Sequence, residues 1–271
     1  YINKAISLSS NDEYWRARTT LYTNEFTKLA QTENPDKTRL QGLFTQAEQS
    51  AQSAISRNRR SATNWLILSQ VYQLISTGEE NNEALKNAKT AGEEALKRNP
   101  VNPAYFLNNA KIAFIGKDTS LAFEQIEKAI SLKTDYLDAY IFRGQIKQNQ
   151  GNTQGLKEEL LTYTALAPND EQGFILLGNL YNQSKSYSAA LEAFSRAQSI
   201  NPRNPNNYLS YVSTLELSGE RSKAIEVLKQ FKQLFPSITG VDDQIKRIED
   251  GKAVVPPAEE EPDTKTTTKK N

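Results

Sequence analysis

The sequence predicts an all-α chain in which antiparallel helix pairs stack one after another as a solenoid, and three observations carry that prediction. A pattern of small and bulky apolar side chains returns at a fixed period of about 34 residues, the length of one helical hairpin. Within each period the apolar positions follow the three-and-four spacing of a single helix face. A proline closes most periods, where a residue without an N–H ends the helical ladder.

Composition supports a packed chain, since 37% of the 271 residues are hydrophobic and 24% are charged. Net charge is +1 from 33 basic and 32 acidic residues, so neither a nucleic-acid backbone nor an anionic membrane is the expected partner. Cysteine, methionine and histidine are absent, which removes thiolate nucleophiles, imidazole bases and the usual zinc and copper ligands. The longest apolar runs, such as residues 174–177, fall far short of the roughly 20 residues needed to cross a bilayer.

Taken in order, residues 1–10 read as the end of a helix that continues from a preceding segment, with Ala5 and Ile6 on its packed face. Residues 11–236 form an array of about six hairpins. The first pairs Trp15, Thr19 and Tyr22 with Ala47, Ala51 and Ala54, and its insertion at 23–44 includes a break at Glu33-Asn34-Pro35-Asp36. The second pairs Trp65, Leu68, Ser69 and Tyr72 with Ala88, Ala95 and Pro100, around an insertion at 76–83. The third carries Phe106, Ala110, Ala113, Ala122, Ile126 and Ala129, with threonine in place of the closing proline. The fourth has Tyr140, Gly144, Gly151, Leu156, Leu160 and Pro168. The fifth has Phe174, Leu177, Gly178, Tyr181, Ala190, Phe194, Ala197 and Pro202, and the sixth Tyr208, Leu215, Gly219, Ala224, Leu228 and Pro236. Val241, Ile245 and Ile248 at helical spacing predict a capping helix within 237–250. The Pro-, Glu-, Lys- and Thr-rich stretch 251–271 has almost nothing to bury and is expected to be disordered.

The fifth unit resembles the tetratricopeptide repeat (TPR) signature at each diagnostic place, and the fourth and sixth keep its register. The small Gly178 and Ala190 are expected to face each other where two helices approach closely, with Phe174, Tyr181 and Phe194 filling the space around them. The resemblance implies a right-handed superhelix whose concave groove is lined by the first helix of each hairpin, and a protein or peptide bound there.

Helix geometry then selects the groove residues, since neighbours rotated off the packed face point into the concavity. These are Leu66, Gln70 and Gln73; Ile141, Gln145, Gln148 and Asn149; Ile175, Asn179, Asn182 and Gln183; and Leu209, Ser213 and Glu216. An amide ladder of this kind can pair with an extended peptide backbone while the Ile and Leu strip takes its side chains. The alternative is that the amides are solvated helix surface. Family members that clamp a chaperone's terminal carboxylates place cations where this chain has Ile141, Ile175 and Leu209, so that mode is not expected, although Asn179 matches one clamp position.

Other features read as solvated surface: the cluster Arg57, Arg59 and Arg60 in a turn, and the pairs Glu158-Glu159 and Asp242-Asp243. Asn182-Gln183-Ser184 has the form of a glycosylation acceptor in a loop, but so short a pattern assigns no function. No phosphate-cradling loop or nucleophile elbow occurs, so no catalytic, cofactor or metal residue is assigned and a non-enzymatic role is expected.

A narrower likeness adds context. Asn11-Asp12-Glu13-Tyr14-Trp15-Arg16, the long first hairpin and Leu166-Ala167-Pro168-Asn169-Asp170 resemble the TPR tail of multi-pass O-antigen ligase-like proteins of uncultivated bacteria. That likeness implies a membrane-embedded glycan ligase or polymerase before Tyr1 and a location at the cell envelope; without it the cytoplasm is the expectation. The readings to separate are a scaffold that grips protein partners, an accessory module that contacts glycan, and a module that self-associates through exposed solenoid ends.

Overall fold

The computed structural model describes residues 11–79 and 82–252. Among them thirteen helices follow one another without a strand: α1 (Asp12–Ala30), α2 (Lys37–Arg57), α3 (Ala62–Gln73), α4 (Glu83–Arg98), α5 (Pro103–Ile115), α6 (Thr119–Leu132), α7 (Leu137–Asn149), α8 (Thr153–Leu166), α9 (Glu171–Gln183), α10 (Tyr187–Ile200), α11 (Pro205–Leu217), α12 (Arg221–Leu234) and α13 (Val241–Glu249). The helix end expected at 1–10 and nearly all of the tail expected at 251–271 lie outside the described residues. The helices gather in two compact units, residues up to Glu159 and residues from Leu160 on.

Local chemistry sets where the helices begin and how they turn. Asn11, Asp36, Asn82, Asn102, Asp118, Asp170 and Asn204 each accept a hydrogen bond from a first-turn backbone N–H, and Pro103 and Pro205 occupy first-turn positions that need no donor. After α5, α7, α9 and α11 the chain reverses through one left-handed residue: Lys117, Gly151, Lys185 and Gly219. In each reversal the next N–H returns to the last helical turn, as Asp118 to Ala113 O at 2.9 Å and Glu220 to Leu215 O at 2.8 Å. Glycine takes that backbone freely, whereas the two lysines bear a steric cost on the order of 1–2 kcal/mol.

In the first unit, Phe26, Leu43, Phe44, Ala47, Ala51, Leu68, Val71 and Ala91 make one core across α1 to α4. A second runs from α5 to α7 through Leu107, Ala110, Ala122, Ile126, Ala139 and Ile146, flanked by an edge-to-face Phe114–Phe142 pair. In the second unit, Val212, Leu215, Ala224, Leu228 and Phe231 pack beneath Val241, Ile245 and Ile248 of α13. That helix is therefore held by its apolar stripe, at the end of the last pair.

An added Cβ on Gly178 would lie 2.6–2.8 Å from three ring atoms of Phe194, so this ring is seated on the glycine. In α7, the same test on Gly144 meets Leu156 at 2.8 Å and Glu159 at 3.3 Å.

The third residue of α3, α5, α7, α9 and α11 is always buried: Asn64, Tyr105, Ala139, Gly173 and Asn207. Where it is asparagine it clasps the carboxyl end of the preceding helix. Asn64 Nδ2 donates to Ala54 O at 2.9 Å, Asn58 O at 3.0 Å and Asp12 Oδ2 at 2.9 Å. Asn207 Nδ2 donates to Ala197 O at 3.2 Å, Asn201 O at 3.4 Å and Glu171 Oε2 at 2.6 Å. Asn201 and Asn204 also donate to Glu171 Oε1. Orphan carbonyls at the helix end are thus satisfied by a side chain from the next hairpin.

Two measurements test this account. Gly178→Ala should lower stability by about 1–3 kcal/mol because the Phe194 ring must move, whereas Gly42→Ala in α2, where nothing lies within 4 Å, should raise it by roughly 0.5–1 kcal/mol; urea denaturation reads both. Burial pushes the Glu171 carboxyl up, and the Asn207, Asn201 and Asn204 amides more than offset this, so its pKa lies below the ordinary 4.5. A depressed folded-state pKa contributes stability above the unfolded value that is lost as pH falls through the folded one. The Tm advantage of the native chain over Glu171→Gln should therefore hold at pH 7 and shrink below about pH 4.5; a constant difference would refute the clasp.

Candidate functional site

The candidate surface in each unit is the face presented by the first helix of each pair. In the first unit, Leu66 and Gln73 of α3 are half-buried and Gln70 is exposed. Gln70 lines a cleft of about 300 Å³ between α1 and α3, with Thr19, Thr20, Thr23, Asn24 and Thr27 on one wall and Ile67 and Leu74 beside it. Thr20, Thr23 and Thr27 donate their hydroxyl hydrogens back to Arg16 O, Thr20 O and Thr23 O. Their oxygens consequently present free lone pairs, the amides of Asn24 and Gln70 add donors, and no ionisable side chain lines the cleft. On α7, Ile141 is half-buried and Gln145, Gln148 and Asn149 are exposed.

In the second unit, Ile175 is half-buried and Asn179 and Gln183 are exposed, while Leu209 and Ser213 of α11 are half-buried. Asn182 belongs to α9 rather than to a loop, is half-buried, and donates to Thr214 Oγ1 at 2.8 Å, with its Oδ1 buried and unpaired. That geometry withdraws it as a glycosylation acceptor.

At one repeat position three of the expected groove residues bridge to a neighbouring helix, while Gln148 at the same position stays exposed. Gln73, Asn182 and Glu216 are equivalent in the repeat, and each bridges to the next first helix. Gln73 Nε2 donates to Asn108 Oδ1 at 2.8 Å, and Asn108 continues to Ser69. Glu216 accepts both bonds of a fork from Arg247 at 2.6 and 2.8 Å, with side chains only 6% and 14% exposed. These three side chains link helices of the stack; the outward amides are Gln70, Gln145, Gln148, Asn149, Asn179 and Gln183.

Tyr140, Gly144, Leu177, Gly178, Ala190, Phe194 and Ala197 are buried, Trp65, Tyr72, Phe174 and Tyr181 are half-buried, and Pro202 is exposed in the turn after α10. Trp65 Nε1 donates to Arg59 O, and the Arg98 guanidinium lies 4.6 Å above its ring. Tyr72 donates to Glu48 Oε1 at 2.7 Å; burial, then that carboxylate, push its phenol up to about 12, so it stays a donor at neutral pH.

A second correction concerns Glu159, which is 4% exposed and not part of a solvated face. Arg143 grips it through Nε and Nη2 at 2.9 and 2.8 Å, Lys147 reaches Oε1 at 2.6 Å, and Arg143 also bonds Glu127. Arg143 and Glu159 hold the positions that Leu177 and Ala193 hold one repeat later, and that Asn109 and Gln125 hold one repeat earlier. An arginine in a signature leucine position was the signal in the sequence. Asn109 Oδ1 and Gln125 Oε1 are buried without a donor, a penalty of about 1–3 kcal/mol each.

The tetratricopeptide-repeat family profile matches residues 172–204. No curated protein matches the sequence. The C-terminal part of a TPR repeat-containing protein from Cytophaga hutchinsonii aligns with a TM-score of 0.57 and 17% identity, covering 86% of this chain and 85% of that one. PilW, a type IV pilus biogenesis factor, aligns at 0.54 and 16% identity, covering 84% and 98%. Pseudomonas aeruginosa PilF aligns at 0.50 and 16%, covering 88% and 99%. No helix among the described residues is long and apolar enough to cross a membrane. The chain thus carries a tetratricopeptide repeat at 172–204 and has the all-α fold of TPR solenoids.

Proposed function

We propose that this chain is a non-enzymatic scaffold that holds a protein partner, taking an extended peptide segment along the first-helix face of its amino-terminal unit. The cleft between α1 and α3 supports this reading, because it is concave, uncharged and lined by oxygens and amides that suit a peptide backbone, with Ile67 and Leu74 beside them for an apolar side chain. Its neutrality also agrees with a chain of net charge +1, whose partner is not selected by long-range charge. Placement beside an envelope glycan ligase or polymerase belongs to the same proposal and rests on the likeness of the stretches at 11–16 and 166–170.

A second reading draws on the same lining, since hydroxyl and amide groups also match the hydroxyls of a sugar. Selection of phage-displayed short peptides on the full chain, beside a glycan array, separates the two. Selected peptides should bind Thr23→Arg at least tenfold more weakly, about 1.4 kcal/mol, and Gln183→Ala unchanged. Peptides indifferent to Thr23→Arg would sink the cleft assignment, and glycan binding abolished by Thr23→Arg with no peptide selected would favour the second reading.

A further inference from the structure

The amino-terminal unit holds another cleft, of about 480 Å³, which shares no lining residue with the α1–α3 cleft. It lies between the second helices α4 and α6, and α5 forms its floor. Both walls run antiparallel to α5 and therefore parallel to each other. Leu85, Lys89, Glu93 and Leu96 recur on α4 every three or four residues, a stripe about 16 Å long. Leu121 and Gln125 face it from α6.

The floor and far wall carry the unusual chemistry. Asn109 and Gln125 line this cleft, and their amide oxygens, like those of Asn182 and Asn207 elsewhere, are buried without a donor. Equivalent positions elsewhere are filled by the apolar Leu177 and Ala193 or by the paired Arg143 and Glu159. The remaining polar lining is also rich in acceptors, since Glu93 and Asp118 supply carboxylates against the single ammonium of Lys89. A ligand for this cleft must therefore bring apolar surface for Leu85, Leu96, Ile112 and Leu121 and hydrogen-bond donors, with positive charge, for the rest.

We propose that the α4–α5–α6 cleft docks an amphipathic helix of a partner protein, its leucine-type stripe turned inward and lysine or arginine along its flanks. Two parallel helical walls, about three turns of α4 and about two of α6, accept a third helix between them, as ridges enter a groove. The acceptor surplus and net negative lining select a basic helix over an acidic one. This docking is separate from peptide capture on the first-helix face, so the two can succeed or fail independently.

Two synthetic helical peptides test it on the full chain, one with lysines and one with glutamates beside the same leucine stripe, by fluorescence anisotropy. The lysine peptide should bind at least tenfold more tightly. Gly116→Phe should plug the cleft and weaken it at least tenfold without lowering Tm, because a Cβ there meets nothing nearer than 3.5 Å and φ is −73°. The double variant Asn109→Leu and Gln125→Ala recreates the apolar filling of the equivalent slot; it should raise Tm and also weaken the peptide at least fivefold. Thr23→Arg should leave the affinity unchanged. Equal binding of both peptides, no binding of either, or full affinity in the double variant would overturn the proposal, and the double variant decides if Gly116→Phe proves unstable.

Discussion

The distance between neighbouring helices is the constraint on which the rest of this structure depends, and small side chains enforce it, on the second helix of most pairs and, for α7 and α8, at Gly144 of the first. Ala47, Ala51 and Ala54 in α2, Ala88 and Ala95 in α4, Ala122 and Ala129 in α6, Ala190 and Ala197 in α10 and Ala224 in α12 are all fully buried. Methyl groups at those places let two backbones approach closely, and the space left beside them is filled by larger buried neighbours such as Phe194, Ile126 and Leu228. Within a unit, a larger residue at an alanine position would push a pair apart and propagate to the hairpin stacked on it, because one pair is the packing surface for the next.

Apolar packing of this kind is tolerant of small slips along a helix, whereas buried hydrogen bonds are not. Asn64 and Asn207 lock the start of one first helix to the end of the helix before it, and Gln73, Asn182 and Glu216 tie successive first helices at one shared repeat position. Each bond is made at a single register, and displacing it leaves a buried polar group unsatisfied. The Glu216–Arg247 fork does the same for α13, whose apolar stripe alone would accept more than one seating on the end of the array. Register is thus set by a few polar contacts superimposed on a repetitive apolar pattern.

This division explains what was legible in the sequence. The fold class was readable because alanine, glycine and aromatic positions recur in phase, and periodicity averages over local exceptions. The exceptions are single residues whose role depends on a partner far along the chain. Helical rotation places Gln73, Asn182 and Glu216 at the border between packed and open faces, where about 100° per residue decides exposure and a neighbouring helix decides the partner. Glu159 was read as solvated because adjacent glutamates usually are; only the arrival of Arg143 and Lys147 from α7 makes its burial affordable. The seating of Phe194 on Gly178 was legible only in part, since the pattern puts three rings around the small residue without saying which of them covers it.

Function can vary along this chain at positions where the fold does not. One slot between the two helices of a pair holds Leu177 with Ala193, Arg143 with Glu159, or Asn109 with Gln125, and the surrounding backbone is of one kind. The first filling is inert, the second neutralises itself, and the third keeps unmet acceptors at the edge of an apolar cleft. A solenoid built on alanine spacing thereby leaves its intermediate positions free to differ in chemistry from repeat to repeat. Recognition in such a chain is written in those substitutions, so the repeats least faithful to the pattern are where a partner's chemistry is to be sought.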